Sequence, residues 1–158
     1  MPQLEIRVVR PADHDEWVEL YAGYRAFYDL APDPEAVETA WRWVSTGQHQ
    51  FTGLVAVDES GAVLALANVR DVARPSAGRM GLYLDDLFTA PAARGRGAGS
   101  ALLERLAELA RERDAVVVRW ITSTGNETAR RLYDRHAELR EFASYDMAPA
   151  AAPTVVAD

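Results

Sequence analysis

The residues with the clearest chemistry are Arg94-Gly95-Arg96-Gly97-Ala98-Gly99, followed by Ser100. A strand-like run, Leu82 to Thr89, leads into them; Pro91 breaks it, and a long amphipathic helix pattern begins inside the glycines. The first N–H groups of a helix have no partner within it, and the helix dipole favours negative charge there. Glycines let a phosphate approach that backbone, and arginines add charge-assisted hydrogen bonds. The hexad therefore reads as an anion cradle; the plainer alternative is a tight strand-to-helix turn with solvated arginines.

Two familiar phosphate loops do not fit. A P-loop needs Gly-Lys-Ser/Thr, and the chain contains no lysine. A dinucleotide fingerprint needs a third glycine where Ser100 stands in one frame and Leu102 in the other. A second group lies downstream: Asn126, Ala129 and Tyr133, spaced for one face of a helix that Asn126 could cap. Asp85 and Asp86 sit inside the run before the hexad, and strand alternation allows only one of them to face a cleft. Tyr24 and Tyr28 share a helical face with Trp17 and Tyr21. Such a stripe serves either as core or as a cation–π surface.

Arg94-x-x-Gly97-x-Gly99 and Asn126-x-x-Ala129-x-x-x-Tyr133 together resemble the GNAT family of N-acetyltransferases, and the likeness extends over most of the chain. The resemblance implies acetyl-coenzyme A as cofactor, with its pyrophosphate on Arg94, Gly95, Arg96, Gly97, Ala98, Gly99 and Ser100. It implies further cofactor contacts from Asn126, Ala129 and the backbone of Leu87, Phe88 and Thr89. Tyr133 would lie near the sulfur and protonate the departing thiolate. Asp85-Asp86-Leu87-Phe88 looks like the segment of polyamine-acetylating members, which gives Asp85 the amine-handling position, directly or through water. Tyr24-Arg25-Ala26-Phe27-Tyr28, Trp120 and Tyr145 resemble the same subgroup, so Tyr24, Tyr28, Asp85, Asp86 and Trp120 are the expected substrate residues. The implied reaction is direct acetyl transfer to a primary amine of a small molecule. A protein-directed acetyltransferase and a non-enzymatic acyl-coenzyme A sensor are the other readings. A homodimer is also suggested by the resemblance.

The elements that must position these residues read in order. Strands are predicted over Leu4–Val9, Phe51–Val57, Ala62–Val72, Leu82–Thr89, Ala115–Ile121 and Leu139–Met147, the fifth buried and parallel. Helices are predicted from Trp17 to Tyr28, Glu35 to Ser45, Gly97 to Glu112, and after Asn126 with Ala129, Leu132, Tyr133 and His136 inward. The order β-α-α-β-β-β-α-β-α-β makes a mixed antiparallel and parallel α/β sheet with helices on both faces. The family resemblance adds that the strands on either side of the third helix splay apart around the pantetheine arm. His136 stands where the family often has glycine, which changes the expected entry to the last strand.

Composition sets the remaining bounds. The 158 residues suit one domain over 1–147, with 148–158 as a flexible tail. Hydrophobic content of 49% and charged content of 26% are ordinary for a globular protein. A net charge of −7 argues against nucleic acid. No apolar run is long enough for a membrane, and no signal pattern opens the chain. Absence of cysteine fits the cytoplasm and excludes an acyl-cysteine intermediate. His14, His49 and His136 are scattered, so no metal set is expected. There is no Gly-x-Ser-x-Gly elbow for a serine nucleophile.

Overall fold

The computed structural model describes residues 3–150. Strand β1 (Glu5–Val8) is followed by α1 (His14–Phe27) and α2 (Pro34–Thr46). Three antiparallel strands come next: β2 (Phe51–Val57), β3 (Val63–Arg74) and β4 (Arg79–Thr89). Then come α3 (Ala98–Glu112), β5 (Val118–Arg119) and α4 (Glu127–Tyr133). The sheet order is β1-β2-β3-β4-β5, antiparallel except for the parallel β4–β5 pair. The predicted class and order hold through α4.

Two apolar layers clamp this sheet. On one face Trp17 and Leu20 of α1 and Val37 and Val44 of α2 meet Val55, Leu66 and Phe88. On the other, Leu102, Leu106 and Leu109 of α3 meet Leu54, Ala67, Leu82 and Leu84, with Leu132 and Tyr133 of α4 packed alongside. Both sheet faces are covered, so β2 and β3 are buried almost continuously rather than on alternate residues. The start of α1 is fixed to β1 by a partly buried ion pair. Arg7 grips Asp13 at 2.7 and 2.8 Å, and the Arg10 amide donates to the same carboxylate at 2.6 Å. That Arg7 bond holds the Asp13 carboxyl below its usual range.

Two expectations about strands fail, and both failures lie at one edge. The fifth strand is predicted as a buried run of seven residues, but only Val118 and Arg119 form ladder pairs, and they are half-buried. The last strand, over 139–147, does not form: residues 138–150 carry no regular structure and are exposed. Local pattern supplies a preference for extended backbone, whereas a strand also needs a ladder partner, and residues 139–147 pair with none among the described residues. Most of the predicted tail, 151–158, lies outside the described residues.

The β4–β5 pair is the part of the fold that matters for chemistry. The strands pair only at Leu82–Val118 and Tyr83–Arg119. Beyond Tyr83, β4 continues to Thr89 with β3 on one side and, among the described residues, no ladder partner on the other. The expected splay is therefore present, and it runs toward the glycine hexad.

Because Asp13 and Arg7 are nearly buried, Asp13→Ala should cost about 3 kcal/mol, the usual penalty for stranding one member of a buried pair. Urea denaturation at neutral pH would measure it. A lowered carboxyl pKa gives stability that is present above the unfolded value, about 3.9, and lost as pH falls through the folded value. The gap between wild type and variant should therefore close in acid.

Candidate active site

The hexad forms a turn with two left-handed glycines that leads into α3. Gly97 is the N-cap of α3 with φ of 84°, and Gly95 has φ of 77°. A Cβ at Gly97 would meet nothing within 4 Å, so glycine is needed there for backbone conformation alone. Gly99 answers a different demand: a Cβ there would lie 3.0 Å from Leu132 Cδ2, so its absence lets α4 close on α3. The first bond of α3 runs from Ala101 N to Gly97 O at 3.0 Å, which leaves the amides of Ala98, Gly99 and Ser100 without helical partners. These amides, the left-handed turn and the dipole end of a 15-residue helix fit a pyrophosphate. The two arginines are both anchored. The Arg94 guanidinium lies 5.9 Å from the Phe27 and Phe88 ring centroids, and Arg96 reaches Asp58 in the β2–β3 turn at 3.4 Å. The Ser100 hydroxyl is bonded to His136 Nε2 at 2.6 Å, which ties the cradle to the end of α4.

A second wall comes from α4 and the end of α1. Asn126 caps α4 through a bond from Ala129 N at 3.2 Å, and its amide nitrogen donates to Thr122 at 3.5 Å. Facing it, Phe27, Tyr28 and Asp29 complete a cleft of about 560 Å³ with Ser123, Gly125 and Asn126. Tyr133 is half-buried, with the Trp120 ring edge-on at 5.3 Å. Burial, with a smaller contribution from nearby Tyr28, pushes its hydroxyl up to about 12. At neutral pH it is a proton donor. Trp120 lies on the α3 side of the sheet with Tyr133, away from the α1 aromatic face.

The carboxylates depart from simple alternation. In the β3–β4 ladder Asn68 pairs with Asp86 and Val69 with Leu84, so Asp85 is an inserted bulge residue. Before the bulge, Leu82 and Leu84 face α3; after it, Phe88 faces α1 and Leu87 packs toward α3. The bulge resets the pleat, and both carboxylates end on the α1 side. The expectation that only one could do so fails for that reason.

Their surroundings differ. Asp85 binds Arg70 Nε at 2.8 Å, and the Arg70 guanidinium lies over the Phe51 and Tyr83 rings. Asp86 accepts from Asn68 Nδ2 at 2.9 Å. It sits against the Tyr21 and Tyr24 hydroxyls, and burial raises its carboxyl above the ordinary range despite those hydrogen bonds. Burial, then the Asp86 charge, likewise raises the Tyr21 and Tyr24 hydroxyls. The α1 rings form one continuous stack: Trp17–Tyr21 at 4.7 Å, Tyr21–Tyr24 at 5.5 Å and Tyr24–Tyr28 at 5.0 Å. Tyr24 and Tyr28 thus line the approach from Asp86 to Tyr133.

Two residues here were not singled out from sequence. Asn68 is 1% exposed, and its Oδ1 has no hydrogen-bond partner among the described residues, an orphaned acceptor beside the half-buried Asp86 carboxylate. Its signal was available: it is the lone polar residue between Val63 and Val69. Arg70 neutralises Asp85, a pairing visible only once the register is known.

Comparison with known proteins agrees with this geometry. The family model described as Acetyltransferase (GNAT) family matches residues 15–137. A D-amino-acid N-acetyltransferase of Saccharomyces cerevisiae is 25% identical over 136 residues, 85% of this chain and 84% of that protein. An uncharacterized N-acetyltransferase of Bacillus subtilis is 28% identical over 133 residues, covering 84% and 88% of the two chains. Among solved structures, a ribosomal-protein-alanine N-acetyltransferase from Brucella melitensis superposes with a TM-score of 0.78 at 22% identity, over 94% of this chain and all of that one. An aminoglycoside N-acetyltransferase in complex with CoA gives 0.77 at 13% identity, over 93% and 96%. At these identities the structures show a shared fold.

Gly97→Ala should impose about 1–2 kcal/mol of left-handed strain on the cradle. Calorimetric titration with coenzyme A should then show roughly tenfold weaker binding, while circular dichroism stays unchanged.

Proposed function

The chain belongs to the GNAT family of acetyltransferases and is an acetyl-CoA-dependent N-acetyltransferase, and we propose that its acceptor is the primary amine of a small cationic or amino compound. The observation that carries this is Asp86. It is a half-buried carboxylate on the α1 side, flanked by Tyr21 and Tyr24 and by Asn68, whose Oδ1 has no partner among the described residues. A carboxylate, a second acceptor and aromatic faces suit an ammonium group. Among the relatives, the yeast protein is named for D-amino acids and the CoA-bound neighbour for aminoglycosides, both small amines.

Acetyl-CoA, when bound, supplies the thioester carbonyl that the amine nitrogen attacks. Asp86 accepts the ammonium proton, a role its raised pKa favours and one that Asp85, committed to Arg70, fills less well. The amine-handling position drawn at Asp85 from sequence thus moves one residue along the bulge, and Asp85 with Arg70 becomes a positioning pair. Backbone N–H groups of β4 beyond Tyr83, free of a strand on one side, donate to the carbonyl oxygen as it gains charge. Tyr133 would deliver the proton from its hydroxyl to the departing sulfur as one N–C bond forms and one C–S bond breaks, and the proton the nitrogen then loses passes to solvent, from which the phenol is restored. The chain has no cysteine, so the transfer is direct. That same absence of thiols suits a reducing cytoplasm.

One feature favours an amino acid over a diamine. Arg70 uses only Nε on Asp85 among the described residues, and its side chain is 40% exposed. It lies two residues from Asn68 on the same strand face, about 6.6 Å away by strand rise. An ammonium at Asp86 would leave a carboxylate within reach of Arg70.

Thiol release measured over diamines, D- and L-amino acids, amino sugars and lysine peptides tests the substrate class. Small amines should be turned over; activity confined to peptides, or coenzyme binding without turnover on any amine, overturns the reading. Tyr133→Phe should lower kcat about tenfold or more with coenzyme affinity kept. The base must be ionised and the phenol protonated, so kcat should rise through an acid limb above the ordinary carboxylate value of about 3.9 and fall only near 12. Asp86→Asn should abolish that limb and recover activity only as pH nears the amine's own pKa, about 10.4 for an alkylamine.

A further inference from the structure

We propose that His136 positions the pyrophosphate of the coenzyme, acting through the Ser100 hydroxyl. The inference rests on the reading that this pyrophosphate sits at the start of α3, and it adds to that site a residue outside the hexad. Ser100 is in the first turn of α3, and its amide is one of those that lack a helical partner. Its Oγ lies 2.6 Å from His136 Nε2, and both residues are half-buried. The ring is held from its own side as well. His136 N bonds Tyr133 O at 2.9 Å, and Ala137 N bonds the same carbonyl at 2.8 Å, so the imidazole leaves a closed turn at the end of α4.

The cations of the neighbourhood are engaged elsewhere. The Arg94 guanidinium lies over Phe27 and Phe88, and Arg96 reaches Asp58. Around α4, Arg130 bonds Thr124 O, Arg131 pairs with Glu127, and Arg135 bonds Arg131 O. Ser100 with His136 is therefore the side-chain pair that stands at the turn where a phosphate would meet free amides.

A serine hydroxyl carries one hydrogen, and an ionised phosphate oxygen only accepts. With phosphate present Ser100 donates to it, and the Ser100 oxygen then accepts from an N–H. His136 supplies that N–H from Nε2, since its Nδ1 has no partner among the described residues that would fix the hydrogen there. The order is Nε2–H to Oγ, then Oγ–H to phosphate, each bond polarising the next. No covalent bond changes. Without the ring the hydroxyl turns freely and loses its aim.

Calorimetric titration of the full chain with coenzyme A measures this contribution. His136→Leu should weaken binding about tenfold. It should lower by the same factor the kcat/KM preference for acetyl-CoA over S-acetylpantetheine, a thioester without phosphate. Dephospho-coenzyme A keeps the pyrophosphate and should show the same loss of affinity. His136→Gln keeps an N–H near the Nε2 position and should restore most of it. Ser100→Ala should weaken binding as much as His136→Leu, and the two together should cost no more than either alone. Equal losses on both thioesters would mean that His136 merely braces α4, and that overturns the proposal. So do additive losses in the double variant, a Gln variant as weak as the Leu variant, or a loss that vanishes with dephospho-coenzyme A. If Ser100→Ala and Gly97→Ala both leave coenzyme affinity intact, the cradle itself is misplaced. If both weaken it and His136→Leu does not, the role of His136 alone falls.

Discussion

Between Tyr83 and Thr89, one edge of β4 has no strand beside it among the described residues. Leaving the backbone groups of a buried strand unpaired costs roughly 1–3 kcal/mol for each one that water cannot reach, so a sheet opens this way only where something else can bond. Both ends of the opening are fixed from outside it. At the closed end β5 holds Leu82 and Tyr83, with Leu82 N bonded to Val117 O at 2.8 Å. At the other, Ala90 N binds Leu64 O at 2.9 Å and turns the chain through Pro91 into the glycine cradle. A ligand with an extended amide-bearing arm and a phosphate head matches that sequence of free groups: backbone along β4, then amides at the start of α3.

The bulge at Asp85 decides what stands at the chemical end of this track. Without it, Asp86 would point toward α3, among Leu102 and Leu106, where an unpartnered carboxylate costs far more than packing could return. With it, Asp86 meets three polar groups and stays accessible to a cation. The same inserted residue brings Asp85 alongside. Two carboxylates on one face would repel each other, and Arg70 removes that conflict by neutralising one of them. The cradle and the carboxylate therefore carry opposite polarity at opposite ends of one strand, which would orient a molecule that is anionic at one end and meets an ammonium at the other.

Much of this was legible in the sequence because it rests on local chemistry. The hexad, the Asn126 cap, the Tyr24–Tyr28 stripe and the hairpins all depend on residues within a few positions of each other. Phe51–Val57 is predicted and observed with the same limits. What escaped depends on register or on a neighbour. The placement of Asp85 and Asp86 turns on one inserted residue, invisible to a period of two. Asn68 gains meaning only from the partner strand that sets it beside Asp86. The segment 139–147 has a strand's pattern, and a pattern alone supplies no ladder partner.

Tyr133 links these separate levels. Its position comes from α4, and α4 is placed by its asparagine cap, by Leu132 lodged against Gly99, and by Trp120 at the end of β5. Its protonation comes from burial, with Tyr28 of α1 contributing from across the cleft. In the proposed role, a phenol held up near 12 is a weaker acid than a thiol, whose unperturbed pKa is about 8.5, so full transfer to a free thiolate is uphill. The proton would move toward the weaker base in equilibrium terms. Donation is therefore useful only while the sulfur is losing its carbon partner, and the phenol must be reset from solvent afterwards. That places weight on geometry rather than on acidity, since the hydroxyl has to be aimed at the sulfur as charge appears there. A side chain in that role needs a stiff wall behind it. Here the wall is β5, held to β4 by two ladder pairs, and the Trp120 ring that follows it packs edge-on against Tyr133.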